Sequence, residues 1–499
     1  MKVLLMHPEQ DFDADQPLPG HAEDLDADLA LPTLLQAAAG GDRLVYQVMH
    51  RTLLGAFGND VTTIEYRQAI LRDVLAHGEV IRELYAIATE ALERKRKSSF
   101  FGFMADHPSS ILHGAIAVLT IFLEMLLQVR NVAQAQRAVF ASAGFVRLFD
   151  ALIQELSDDY LAEMRTRLAQ LRFEPGVLIG AELGDGNESV RHRLHLERDT
   201  RPAWIRRMLG SGGPAYRFQL AERDEAGARF LGEIEAAGIN LVANTAAQAM
   251  DHIAAFFEAL QTELAFYVGA LTLHEQLNTL GVPLVIPRAH PWGSRVLHAQ
   301  SLSDPCLALQ LGKAPATNAL RADTRSLIII TGANQGGKSS FLRGLGLAHL
   351  MLNAGLFVAA ACFEGEICRG LYTHHKREED MTLSGGKFDE ELRRLDGIAD
   401  AIVSNSLVLF NESFASTNER EGSEMACEVV DALLERKVRV VFVTHQYAFA
   451  SAYLSRRLTD VLYLRAERAT DGRRSFRLLP GEPQATSYGE DLYRRIFGS

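Results

Sequence analysis

The chain has 499 residues, 47% hydrophobic and 23% charged, the proportions of a globular protein with enough core for two to four domains. A formal net charge of −12 excludes a uniformly basic surface for coating nucleic acid, so any phosphate-backbone contact needs a local basic patch. The four cysteines (Cys306, Cys362, Cys368, Cys427) form no CxxC pair and no zinc spacing, which suits reduced, buried thiols in the cytoplasm.

Residues 1–30 are acidic and loop-like (Asp11, Asp13, Asp15, Glu23, Asp24, Asp26, Asp28) and are expected to form a solvated tail. Their apolar stretch is too short for a signal peptide. From Leu31 to about Gln170 the pattern is helical. Asn59-Asp60 precedes a helix starting near Val61, with Ile64, Ile70, Leu71, Val74 and Leu75 on one face. Further runs cover Val80 to Leu92, Ile111 to about Phe149, and Ala151 to Leu171. Ile111 to Val129 is the most membrane-like stretch. Its Glu124 is costly inside a bilayer, so a buried core helix and no membrane association are expected.

Arg94 to Phe103 places four basic residues beside aromatics. This suits phosphate contact with stacking, and equally a solvated helix end whose phenylalanines fold back. At Pro175 the composition shifts. Val177 to Leu196 alternates around a Gly184-Asp185-Gly186 turn, as in a hairpin. Arg191, Arg193, Arg198, Arg201, Arg206 and Arg207 then gather around Trp204, as a nucleic-acid surface or as partners for Glu188, Glu197 and Asp199. Ala246 to Leu280 returns to long-helix periodicity. Prolines and glycines at 281–291 punctuate the chain, and from about Pro305 strands and helices alternate as in a doubly wound α/β domain.

Within that last segment, Leu327 to Ile330 is an apolar, β-branched run leading into Gly332-x-x-x-x-Gly337-Lys338-Ser339 and a helical stretch from Phe341. Strand, glycine-rich loop and helix form the setting of a phosphate-binding loop. Glycines let backbone N–H groups converge on phosphate oxygens, and the helix N-terminus adds positive potential. Lys338 reaches the outer phosphates and the Ser339 hydroxyl ligates Mg²⁺. The loop is expected to cradle a nucleotide's phosphates through Gly332, Ala333, Asn334, Gln335, Gly336, Gly337, Lys338, Ser339 and Ser340. No aromatic occurs between Leu307 and Leu320 to stack on a base.

A second apolar strand, Leu407 to Phe410, ends in Asn411-Glu412. At this position a carboxylate pair would hold the metal and orient the attacking water. Asn411 serves the metal without charge, so hydrolysis is expected to be slow, while Glu412 orients water. A third strand, Val438 to Val443, ends in Thr444-His445, where His445 senses the γ-phosphate. Between them, Leu383-Ser384-Gly385-Gly386-Lys387 precedes a helix and forms a second phosphate-ready turn. Ser384, Gly385 and Gly386 are most useful over the nucleotide of a partner subunit, which predicts a symmetric dimer.

These motifs, in this order, resemble the MutS family of the ABC ATPase class. Thr331 to Ser340 is similar to its phosphate loop TGPNMGGKST, Thr444-His445 to its TH, and Ser487-Tyr488-Gly489 to its SYG. Phe388 and Glu391 fit its F-x-x-E. Gly422 falls in place, Asn411 departs from an aspartate, and Leu383 to Gly386 is nearer to the general LSGGQ. Arg67-Gln68 and the apolar run after it resemble a core-domain helix. The resemblance implies an α/β P-loop (ABC-type) ATPase domain at 301–499. Before it come a mainly α-helical core and lever domain (31–174 and 241–300) and a small β-containing, clamp-like insertion at 175–240. It also implies an ATP-gated, homodimeric, DNA-binding clamp related to mismatch repair, in a short form without mismatch-reading and connector domains. The alternatives are a slow ATP-operated switch, or a binder of junctions and recombination intermediates.

Overall fold

The computed structural model describes residues 2–99, 107–173, 176–195, 219–221, 223–332, 336–376, 387–468 and 474–484. Residues 100–103, Arg198 to Arg207, Ala333 to Gln335, Leu383 to Gly386 and the SYG element at 487–489 lie outside these. The chain divides into two compact units. One holds residues 1–2, 83–139 and 147–261, the other residues 3–82, 140–146 and 262–499.

In the first unit, Pro108 opens a helix that runs to Gln136, because proline's fixed φ suits a first helical turn. By length and composition this helix is apolar enough to cross a membrane. Its Leu112, Ala115, Ile116 and Leu119 pack against Ala243 and Ala246 of the helix Glu225–Thr279, and Phe122 meets Phe257 at 5.4 Å. Strands β1 (Leu178–Leu183) and β2 (Ser189–His195) form an antiparallel hairpin whose turn has Gly186 at φ 80°. The basic cluster before residue 99 is matched by acids: Arg94 lies 3.1 Å from Glu124, Lys95 3.8 Å from Glu258 and Lys97 3.8 Å from Glu93. Arg191 pairs with Glu182 at 2.9 Å.

The second unit carries the remaining strands: β3 (Arg288–His290), β4 (Leu297–Leu302), β5 (Asn318–Arg321), β6 (Leu327–Thr331), β7 (Cys362–Glu366), β8 (Leu371–His375), β9 (Leu407–Asn411), β10 (Arg439–Val443), β11 (Val461–Arg468) and β12 (Arg474–Pro480). Six form one sheet in the order β12-β11-β6-β10-β9-β8, parallel except for the β11–β12 pair. The central strands are continuous apolar runs because helices cover both faces. Leu327, Ile329, Val408, Phe410, Val440 and Phe442 share one core with Ala426, Val430, Phe449 and Tyr453. Val443 pairs with both Ile330 and Asn411, and this register makes β6, β10 and β9 end level. Loops leaving their C-terminal ends emerge side by side, where open α/β sheets bind ligands. β3, β7, β4 and β5, in that order, make a second, four-stranded sheet.

The N-terminal residues are not a solvated tail. Val3, Leu5 and Met6 are buried, and the fully buried Glu263 carboxylate accepts backbone N–H groups from Leu5, Met6 and Phe12. Arg67 donates to the carbonyls of Met6 and Ala354, and Gln68 to that of Pro287. Of the acidic residues, Asp11 accepts from the Val3 and Leu4 amides, while Asp24 and Asp28 pair with Arg394. Asp11, Asp24 and Asp28 thus satisfy amides and a guanidinium, while Asp13, Asp15 and Glu23 face water. The thiols also differ from expectation: Cys306 and Cys368 are buried, whereas Cys362 and Cys427 are partly exposed.

Candidate functional site

Thr331 ends β6, and Gly332 follows at φ 117°, where a Cβ would sit 3.0 Å from the Ala466 backbone nitrogen. Gly337, at φ 87°, caps the helix Lys338–Ala354, and a Cβ there would come within 3.0 Å of the Phe476 carbonyl oxygen. Both positions demand glycine on backbone conformation and on space. Lys338 is 4% exposed and its Nζ donates to the Gly332 carbonyl at 2.9 Å. The same ammonium lies 3.5 Å from His445 Nε2. Ser339 Oγ donates to Asn411 Oδ1 at 3.2 Å, joining the loop to the end of β9.

Glu412 turns sharply out of β9 with φ 57°, an uncommon conformation for a side-chain-bearing residue, and its amide donates to the Val443 carbonyl at 2.8 Å. Its Oε1 is 2.7 Å from His445 Nε2. That hydrogen bond holds the Glu412 carboxyl below its ordinary range against the opposing effect of burial, and the charges of Lys338 and Lys376 assist. Gly332, Gly336, Gly337, Lys338, Ser339, Ser340, Asn411, Glu412 and His445 thus meet at the ends of β6, β9 and β10. Ala333, Asn334, Gln335, Ser384, Gly385 and Gly386 lie outside the described residues.

Above this floor opens a cleft of about 600 Å³, lined by Gly336 to Phe341, Glu412 and an apolar wall that includes Leu307, Leu311, Pro315 and Phe476. Phe476 supplies an aromatic that the segment before the loop lacks. It comes from β12, which pairs antiparallel with β11. Asn318 holds it in place, accepting from the Leu478 amide at 2.7 Å and donating to the Phe476 carbonyl at 3.4 Å.

Beyond Glu412 a buried network fixes the turn. Glu391, on the helix Lys387–Ala401, accepts the Phe414 amide. His374 Nε2 donates to the Glu391 carbonyl and its Nδ1 meets Ser413 Oγ at 2.7 Å; burial holds this imidazole in its neutral form. Gly422 packs on the same turn. A Cβ there would stand 2.4 Å from the Phe414 carbonyl oxygen, which also accepts from Gln446 Nε2 at 2.9 Å.

Residues 59–280 match the family model of the MutS2 N-terminal domain, and residues 328–490 match that of MutS domain V. The chain belongs to the MutS family. Its domain V match starts within β6 and takes in the loop, β9, Glu412 and His445. Among its relatives, the DNA mismatch repair protein MutS of Thermus aquaticus is 34% identical over 169 residues, 33% of this chain and 20% of the relative. The endonuclease MutS2 of Geobacillus kaustophilus is 34% identical over 171 residues, 34% of this chain and 21% of the relative. That of Thermus thermophilus is 36% identical over 119 residues, 24% of this chain and 16% of the relative. The chain therefore spans about a fifth of the length of the MutS and MutS2 relatives it matches.

Proposed function

We propose that this MutS-family chain binds and hydrolyses ATP with Mg²⁺ in the cleft above Lys338, on an ABC-type P-loop domain. We further propose that it uses ATP to close a homodimer on DNA in the cytoplasm. The observation that carries the reading is the meeting of a lysine, a serine hydroxyl, an amide oxygen, a carboxylate and an imidazole at the level ends of three parallel strands. Lys338 exchanges the Gly332 carbonyl for the outer phosphate oxygens. Ser339 and Asn411, already 3.2 Å apart, are the residues that would hold Mg²⁺, which supplies charge neutralisation at the phosphates. Glu412 orients the attacking water once His445 turns from it to the γ-phosphate. Phe476 and the leucines take the base.

Homodimer closure rests on Ser384 to Gly386 reaching the partner's nucleotide, and DNA binding rests on the family relationship. A second reading, a slow ATP-operated switch, is favoured by one observation: Asn411 brings no charge to the metal. The test is phosphate release. Lys338→Ala is expected to lower turnover by roughly a hundredfold or more, and unchanged turnover would overturn the assignment.

A further inference from the structure

We propose that the outer face of the four-stranded sheet holds a transition-metal site, best suited to Zn²⁺, built from His298, Cys362 and Glu364. The strand pairing makes the juxtaposition. β4 runs antiparallel to β7 with His298 directly opposite Glu364, and Cys362 lies two residues before Glu364 on the same face. Leu297 and Ala299 of β4, and Phe363 and Gly365 of β7, are buried on the other face, so the three candidate ligands point away from the core. Their donor atoms all lie within 4.8 Å of one another, and each side chain is partly exposed, so an ion can reach them.

The surroundings are those of a ligand set. Glu364 is already oriented, since its Oε2 is 3.1 Å from His290 Nε2 and 3.9 Å from Arg288 Nη1. Such a partner behind a ligating carboxylate fixes its direction. Neither the His298 imidazole nor the Cys362 thiol has a hydrogen-bond or ion-pair partner among the described residues. One nitrogen, one sulfur and one carboxylate oxygen suit a borderline-soft ion that binds at roughly 2.0–2.3 Å, and a thiolate selects against Mg²⁺ and Ca²⁺. Binding converts the Cys362 thiol to a metal thiolate and releases its proton to solvent, with no change in oxidation state. The fourth position falls to water. None of these residues lines the nucleotide cleft, so the site stands or fails independently of ATP binding. Its consequence is a cross-link between β4 and β7.

The test is Co²⁺ titration of chelator-stripped full-length protein, followed by displacement with Zn²⁺. Wild type should show a thiolate-to-cobalt charge-transfer band that Zn²⁺ abolishes. Cys362→Ser should remove the band, whereas Cys427→Ser, at the other partly exposed cysteine, should keep it. His290→Ala should weaken Zn²⁺ binding by about 10- to 100-fold without removing the band. His298→Gln, a conservative surface change, should weaken cobalt binding at least tenfold with unchanged circular dichroism, which separates ligand loss from misfolding. Absence of the band in wild type, or its survival in Cys362→Ser, would overturn the proposal.

Discussion

In the proposed site, Asn411 stands where a carboxylate would place a full charge against Mg²⁺. Its Oδ1 accepts from Ser339, so the position is built for a ligand but lacks the electrostatic part of the affinity. Asn411→Asp is therefore expected to lower the Mg²⁺ concentration needed for half-maximal turnover by roughly tenfold and to raise turnover. A phosphate-release assay across a Mg²⁺ series checks it; an unchanged Mg²⁺ dependence contradicts it. Glu412 and His445 are the counterpart: they bond each other at 2.7 Å, and in the proposed cycle a phosphate would give His445 another partner. These residues are legible in the sequence because each ends an apolar strand, and local pattern suffices to place such a residue at a sheet's edge. Phe476 is not, because its place at the cleft depends on β12 pairing with β11 and on Asn318, which lies far from it in sequence. His298, Cys362 and Glu364 are not, because their proximity depends on β4–β7 register rather than on any short spacing.

At the scale of elements, the helix Lys387–Ala401 is tied to the turn after Glu412 by one buried carboxylate. Glu391 accepts the Phe414 amide while His374 bonds the Glu391 carbonyl. If Ser384 to Gly386 reach a partner's nucleotide, as proposed, this helix would link them to the turn after Glu412. Glu391→Leu leaves the cleft intact but orphans a buried amide. The expected result is nearly unchanged nucleotide affinity with turnover reduced by roughly tenfold, checked by fluorescent-nucleotide titration beside single-turnover hydrolysis. A loss of affinity with unaltered turnover would contradict the positioning role. The apolar runs of β6, β9 and β10 and their succeeding helices are readable from the sequence because buried parallel strands are uninterrupted hydrophobic stretches. The N-terminal segment reads as a solvated tail although it is held inside, because its environment comes from Glu263 and Arg67, distant in sequence. Nothing local distinguishes an aspartate that caps a buried amide from one in water.

At the scale of the molecule, buried ionisable groups set an acid limit on stability. His349 is almost fully buried, its pKa lowered to about 3 by burial and by Arg439; that of His375 is lowered to about 4 mainly by burial. The unfolded chain takes up these protons below about pH 6.5 and the folded chain does not, so stability is full above that value and falls toward pH 4. Glu263 acts oppositely. Burial raises it to about 7, so its contribution is present below about pH 4.5 and is lost as pH rises toward 7. Burial also lowers His7, His21, His274 and His374, so the histidines outnumber the one carboxyl and a net loss of stability is expected between pH 6.5 and 4. Denaturant melts at the two pH values should show it, and His349→Phe should flatten the slope. A melting midpoint independent of pH, or a slope that His349→Phe leaves unchanged, would refute the assignment. The assembly is the larger question. Light-scattering mass of Glu412→Gln, a variant that should bind ATP without hydrolysing it, addresses the central claim directly. One chain of 55.0 kDa is expected without nucleotide and twice that mass with Mg²⁺-ATP, with no doubling in Lys338→Ala/Glu412→Gln. A single-chain mass at saturating ATP, with nucleotide bound, would contradict it.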